Sequence, residues 1–211
     1  MFYWKFLRAG AVSPFTGFAW EPGRWVAADS SAQCRSGFHA CRVSDLPYWL
    51  NAELWRIELA DPVAVGTHKV VSPRARVTTQ VAGWDQLAAG AFARACATRV
   101  LGHAVDELSQ CGLEDMAGRL AGAGAAFQPA EWTAVAGRCA DAADARGAWH
   151  ARKLCGYVQD AAATTGRYPA AFAAYLAARA ASHRSSATLA DRYLDERDWQ
   201  AQWLAGNIAL G

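Results

Sequence analysis

Lysine is scarce in this chain of 211 residues: 21 residues are Lys or Arg, and only Lys5, Lys69 and Lys153 are lysines. The formal net charge is +2, and no block of basic residues occurs in the sequence. A general nucleic-acid binder normally carries a basic stripe on its surface. We therefore predict that the protein has no nucleic-acid partner.

Long apolar segments are also lacking. No segment reaches the roughly 20 apolar residues that are needed to span a bilayer. The first ten residues, MFYWKFLRAG, lack the basic leader, the long apolar run and the cleavage site of a signal peptide. These features predict a cytoplasmic protein without a membrane partner, in which the six cysteines remain reduced thiols.

Alanine and tryptophan divide the chain into two halves. Residues 1–83 contain twelve alanines, whereas residues 84–211 contain 37. Six of the ten tryptophans lie at or before position 84. We predict the α+β class, with a small aromatic-rich β domain at residues 1–83 packed on an alanine-rich helical bundle at residues 84–211.

The first half has the pattern of short strands. Trp55, Ile57 and Leu59 alternate with Arg56 and Glu58, which is the period of a half-buried strand. Proline and glycine punctuate the other apolar runs. Strands are predicted near residues 2–8, 25–26, 37–41, 54–59, 63–72 and 76–81, with one helical turn at 45–51 whose N-cap is Ser44.

The second half has the pattern of helices separated by glycines. Pro129 and Pro169 stand where the first turn of a helix tolerates proline. Helices are predicted near residues 84–110, 113–122, 129–146, 148–164, 168–183 and 187–206. On the first of these, Asp106 and Glu107 follow His103 at helical spacing, which predicts a solvated surface pair.

The most informative stretch is CRSGFHAC at residues 34–41, followed by Tyr48, Trp49 and the alternating strand. A glycine enters a strand that contains a polar aromatic residue, and a short helix and a second strand come next. This order resembles the middle of the ADP-ribosyltransferase fold. The Cys-x-x-Gly-Phe-His pattern also resembles a small uncharacterised domain of phage and actinobacterial proteins, which implies no activity.

The resemblance to ADP-ribosyltransferases extends over residues 6–80 and implies that NAD is a possible cofactor. Residues 6–10 match the family's first strand, so Arg8 would contact NAD. His39 would stand where a tyrosine usually stacks on nicotinamide. Residues 72–80 contain no carboxylate, so the glutamate that stabilises the positive transition state in that family has no counterpart. The resemblance implies a ligand-binding protein or a transferase-like enzyme that lacks this residue.

His39 is also a candidate general base, because an unperturbed histidine pKa of about 6.5 suits that role. Glu58 or Asp45 would then have to lie within hydrogen-bonding distance. Cys34, His39 and Cys41 could instead be zinc ligands, or one of the two cysteines could be a nucleophile. We favour buried cysteines beside a histidine that contacts a backbone carbonyl, and we predict no metal site.

Tryptophans and arginines near these residues suggest a flat, anionic ligand. Trp20, Trp49 and Trp55 could stack on such a molecule, and Arg8 and Arg56 could bind its anionic group. The same tryptophans could instead fill the core, and the arginines could lie on an exposed face. The alternative function is a non-enzymatic interaction or immunity-type protein whose helical bundle docks a protein partner.

Overall fold

A computed structural model describes residues 2–28, 37–125, 128–164, 170–185 and 188–210. It confirms the α+β class, with strands in the N-terminal half and a helical C-terminal region. The strands are β1 (Tyr3–Leu7), β2 (Val26–Ala27), β3 (Phe38–Ala40), β4 (Glu53–Leu59), β5 (Ala64–Gly66), β6 (Lys69–Ser72) and β7 (Arg74–Gln80). The helices are α1 (Gln86–Gln110), α2 (Glu114–Ala125), α3 (Pro129–Ala145), α4 (Trp149–Thr164), α5 (Ala170–Ser182) and α6 (Leu189–Asn207).

Two local predictions need correction. The stretch 63–72 forms the two strands β5 and β6, because the chain turns at residues 67–68 and His68 adopts a left-handed backbone with φ of 57°. A 3-10 helix spans Val43–Tyr48, so it begins before the predicted Ser44 cap. The buried Asp45 carboxylate accepts the backbone N–H of Arg42 at 2.9 Å and pairs with the Arg42 guanidinium at 2.8 Å.

The strands form two antiparallel sheets, with the orders β1-β4-β7-β2 and β3-β6-β5. Trp4 and Cys41 exchange backbone hydrogen bonds of 3.0 and 2.7 Å, which join β1 to the end of β3. A single apolar cluster includes residues from both sheets, namely Leu7, Ile57, Ala75 and Val77 from the first and Ala40 and Val70 from the second.

The chain forms two compact units. One unit, here called the N-terminal unit, contains Met1–Ala89 together with Ala201–Gly211. The other, here called the helical unit, contains Gly90–Gln200. Residues 201–211 thus group with the strands, although the sequence gives them the same helical pattern as the residues before them.

The helical unit is held together by closely packed alanine faces and a few large side chains. Trp132 on α3 is 1% exposed, and its indole N–H donates to the Ala123 carbonyl at 2.9 Å. Gly124 lies against Leu101, whose side-chain atoms would come within 3.0 Å of an added Cβ. Small residues at these positions therefore allow the helices to approach closely.

Several polar side chains are buried between helices of the helical unit, and His103 is one of them. The prediction of a solvated pair at His103 is therefore wrong. The His103 ring lies 3.4 Å from the Glu196 carboxylate, which also forms an ion pair with Arg99 at 2.6 Å. Glu107 is buried and accepts the Ser185 backbone N–H at 3.1 Å. His103 and Glu107 are both buried because this face of α1 packs against other parts of the helical unit.

Among the described residues, no helix combines the length and the apolar character required to cross a membrane. The five cysteines in this part of the chain are thiols. Cys34 lies outside the described residues, as does Arg35.

Candidate functional site

The N-terminal unit contains a pocket with a volume of about 580 Å³, a size that suits a small molecule. The described lining residues come from β1, the loop at residues 13–18, Trp20, the segment 37–41, Trp49 and Lys69. All of these described residues belong to the N-terminal unit.

The loop at residues 13–18 covers one side of the pocket because its two ends are tied together. Val12 pairs with Arg8 and with Ala19 in isolated bridges. Ser13 donates its backbone N–H to the Phe18 carbonyl at 2.8 Å, and Gly17 donates to the Ser13 carbonyl at 3.0 Å. Gly17 has a φ of 69°, a left-handed conformation that glycine adopts without strain.

Aromatic rings form much of the pocket wall. Trp20 contacts Phe18 and Phe38 edge-on, with ring centroids 5.2 Å apart in each case. Phe15 lies 6.2 Å from Trp49 at nearly a right angle and is 83% exposed. Such rings offer a flat ligand both a large apolar surface and a stacking partner.

Hydrogen bonds fix the orientation of both pocket tryptophans. The Trp20 indole N–H donates to the Ser13 hydroxyl at 2.9 Å, and the Trp49 indole N–H donates to the His68 carbonyl at 2.5 Å. The His68 ring stacks on Tyr48 at 3.7 Å, which further orders this side of the unit. These contacts hold the two tryptophan rings in place within the pocket wall.

Lys5 places an amine in this aromatic pocket. It follows Tyr3 and precedes Leu7 on the same face of β1, and both of these neighbours contact the core cluster. The Lys5 ammonium donates to the His39 carbonyl at 2.7 Å and lies 5.7 Å from the Trp20 ring centroid. Burial lowers the pKa of Lys5 to about 8, although the Cys41 thiol acts in the opposite direction.

The pKa values of His39 and Cys41, which also line the pocket, are both shifted so that the uncharged form is favoured. Burial, followed by the positive charges of Lys69 and Lys5, lowers the pKa of His39 to about 4. Burial raises the pKa of Cys41 to about 12. At neutral pH the imidazole is therefore uncharged and the thiol is protonated, which argues against Cys41 as an activated nucleophile.

Three of the seven predicted site residues line the pocket, namely His39, Trp20 and Trp49. Arg8 is exposed, and its guanidinium donates to the Pro14 carbonyl. It thus braces the loop at residues 13–18 from outside and is not part of the lining.

The remaining predicted residues, Trp55, Arg56 and Glu58, all lie on β4 and are not among the lining residues. Trp55 packs against the core cluster and donates its indole N–H to Glu53 at 2.9 Å. The Arg56 guanidinium lies 4.3 Å from the centroid of the Phe2 ring.

The two carboxylates predicted to assist His39 are both paired elsewhere. Glu58 forms an ion pair with Arg76 of β7 at 2.7 Å, and Asp45 pairs with Arg42. Among the described residues, no group of three or more His, Cys, Asp or Glu side chains is placed to hold a metal ion.

Lys5 and Lys69 are the site residues that the sequence analysis missed. A signal for Lys5 was present, because the alternation Tyr3, Lys5, Leu7 places one charged side chain on an apolar strand face. Lys69 follows a turn that the sequence did not predict, so no local pattern marked it as a pocket residue.

No protein family, no curated protein and no solved structure matches this chain. The resemblance to ADP-ribosyltransferases and to the phage and actinobacterial domain therefore remains a prediction from the residues that carry it.

Proposed function

We propose that the N-terminal unit binds a flat, anionic small molecule in the aromatic pocket. One observation carries this proposal: two of the three lysines in the sequence line a pocket whose walls are largely aromatic. Aromatic faces favour a planar ligand, and the positive charge of the two lysine amines in the pocket lining favours an anion.

The arrangement of charge supports binding over transfer of an ADP-ribosyl group. That transfer develops positive charge at the sugar, which a carboxylate would stabilise. The described lining residues offer Lys5, Lys69 and a neutral His39 in its place. NAD is one candidate ligand, since it is flat at its bases and anionic at its phosphates, and it would be held without being cleaved.

Isothermal titration with two probes of the same shape tests this function. The probes are 2-naphthoate, which is anionic, and 2-naphthamide, which is neutral, and NAD is titrated in parallel. We expect 2-naphthoate to bind about 10- to 100-fold more tightly, because a hydrogen bond to a charged group contributes about 1.5–3 kcal/mol. Quenching of tryptophan fluorescence provides a second readout, since Trp20 and Trp49 line the pocket.

Two lysine variants provide the matched comparison. Lys69→Met removes one of the two lysine charges from the pocket lining and should weaken the preference for the anionic probe severalfold. Lys153→Met removes a charge on α4 in the helical unit and should leave the preference unchanged. Equal affinity for the two probes, or no binding of either at millimolar concentration, would contradict the proposal.

The alternative function, a protein partner docked by the helices, has one favourable observation. Phe172 and Tyr175 on α5 stack with their centroids 6.2 Å apart and are 38% and 46% exposed. Exposed aromatic pairs are enriched at interaction surfaces. Capture of one stoichiometric protein that is lost in Tyr175→Ser, without small-molecule binding, would favour this alternative.

A further inference from the structure

We propose that Lys5 forms a reversible imine with a carbonyl group of the molecule that binds in the aromatic pocket. This inference rests on the proposed function and narrows the ligand to a flat, anionic aldehyde or ketone. It also predicts a covalent attachment, which simple binding of an anion does not require.

The placement of Lys5 is the first reason. A strand residue between Tyr3 and Leu7 on the core-facing side would ordinarily be apolar. The amine there is partly buried, lines the pocket and lies near the face of Trp20. A carbonyl compound bound in this pocket therefore meets the amine as part of the pocket lining.

The state of the amine is the second reason. Only an uncharged amine is a nucleophile, and burial in an apolar pocket is one way in which proteins produce it. With the pKa of Lys5 lowered to about 8 by burial, roughly a tenth of the amine is neutral at pH 7, against well under a thousandth for an ordinary lysine. Since the amine donates one N–H to the His39 carbonyl, its lone pair can face the ligand.

The surrounding groups favour attack by this amine alone. The raised pKa of Cys41, about 12, results from burial and keeps the thiol protonated, so it does not compete for the carbonyl. Lys69 lines the same pocket and, as a cation, would hold the ligand's anionic group. His39 also lines the pocket and is neutral at this pH, so its ring adds no positive charge there.

The chemical step is balanced without a further reagent. The Lys5 nitrogen forms a bond to the carbonyl carbon, and the carbonyl π electrons move to oxygen to give a carbinolamine. The carbon–oxygen bond then breaks, and the oxygen departs as water that carries both protons lost from the amine. No atom is oxidised or reduced, and the addition of water reverses the step.

Reductive trapping on the full chain tests this inference. The protein is incubated at pH 7.5 with 4-carboxybenzaldehyde and sodium cyanoborohydride, and labelled peptides are quantified by mass spectrometry. We expect Lys5 to be labelled at least tenfold faster than Lys153, which serves as the internal reference. Terephthalate has the same shape but forms no imine, so it should protect Lys5 by competition and leave labelling of Lys153 unchanged.

The possible outcomes distinguish the inference from the proposed function. Labelling of Lys5 no faster than Lys153, while titration shows that terephthalate binds, would overturn the imine and leave anion binding intact. Absence of both terephthalate binding and selective labelling would overturn both. Because the comparison is made within the unmodified chain, it does not depend on the folding of a variant; Lys5→Arg should also lose the label while Lys69 and Lys153 remain reactive.

Discussion

Replacing Lys5 with methionine should stabilise the protein at neutral pH. The pKa of Lys5 is lowered by burial from 10.5 to about 8. At pH 7 the amine is therefore mostly charged in a site that favours its neutral form, and this difference corresponds to about 3 kcal/mol of lost stability. Methionine has a similar length and no charge, so it removes that penalty.

The replacement also removes favourable contacts, and these reduce the gain. Loss of the hydrogen bond to the His39 carbonyl should destabilise the protein by about 1 kcal/mol. The net expectation at pH 7 is a free energy of unfolding about 2 kcal/mol higher in Lys5→Met, which raises Tm by about 4–8 °C for a chain of this size. Lys153→Met, which changes an exposed side chain, should alter stability by less than about 0.5 kcal/mol.

The dependence on pH identifies the cause. Between the folded pKa of about 8 and the unfolded value of 10.5, the unfolded chain binds more protons at Lys5 than the folded chain does. The stability of the native protein therefore rises with pH across this window relative to Lys5→Met. The advantage of the variant should disappear by about pH 10, where Lys5 is neutral in the folded chain and His39 is also neutral.

Urea unfolding at pH 7, 8.5 and 10, followed by tryptophan fluorescence, measures these differences. Carbon-13 NMR of labelled lysine gives an independent check, because the chain has only three lysines and the variant identifies the signal of Lys5. If Lys5→Met were less stable than the native protein at pH 7, or if the difference did not change with pH, Lys5 would be an ordinary structural hydrogen-bond donor.

Three further predictions concern other parts of the two units. Glu196→Gln should destabilise the protein by about 1–2 kcal/mol, because the buried carboxylate would no longer form a charged pair with Arg99, whose side chain is 35% exposed; urea unfolding of the variant measures this. In the native protein, burial alone would raise the pKa of Glu196, but His103 and Arg99 lower it overall. The stability that the ionised Glu196 contributes is therefore present above the pKa of the unfolded chain and is lost as the pH falls through the pKa of the folded chain. A variant that showed the same acid sensitivity as the native protein would contradict this. Glu53→Ala should lower stability by about 1–3 kcal/mol, since the backbone N–H groups of the turn after β1 would lose the carboxylate that accepts them; an unchanged Tm would refute it. Phe15→Ala should weaken binding of 2-naphthoate severalfold while changing stability by less than about 0.5 kcal/mol, because the ring lines the pocket and is 83% exposed; parallel titration and thermal unfolding separate the two effects.

The sequence alone was sufficient for the class of the fold and for most elements. Helix bounds follow from repeating alanine faces and glycine punctuation, as with α3, which was expected at 129–146 and spans Pro129–Ala145. The alternation around Trp55 placed β4 correctly. These signals are local, because side chains that are close in sequence decide them. The turn at residues 67–68 lacks the glycine that usually marks a hairpin, so the hairpin of β5 and β6 was missed.

The pocket residues were also predictable only in part. His39, Trp20 and Trp49 were predicted as site residues and line the pocket. Arg8 and Arg56 were predicted as its cations, but the cations in the lining are Lys5 and Lys69. Lys5 and Lys69 are 64 positions apart, and they line one pocket because β1 is joined to the end of β3 and β6 pairs with β3. The sequence by itself determined where strands and helices form. Only the tertiary structure decided which charges are buried together, because strand pairing and burial act between residues that are remote along the chain.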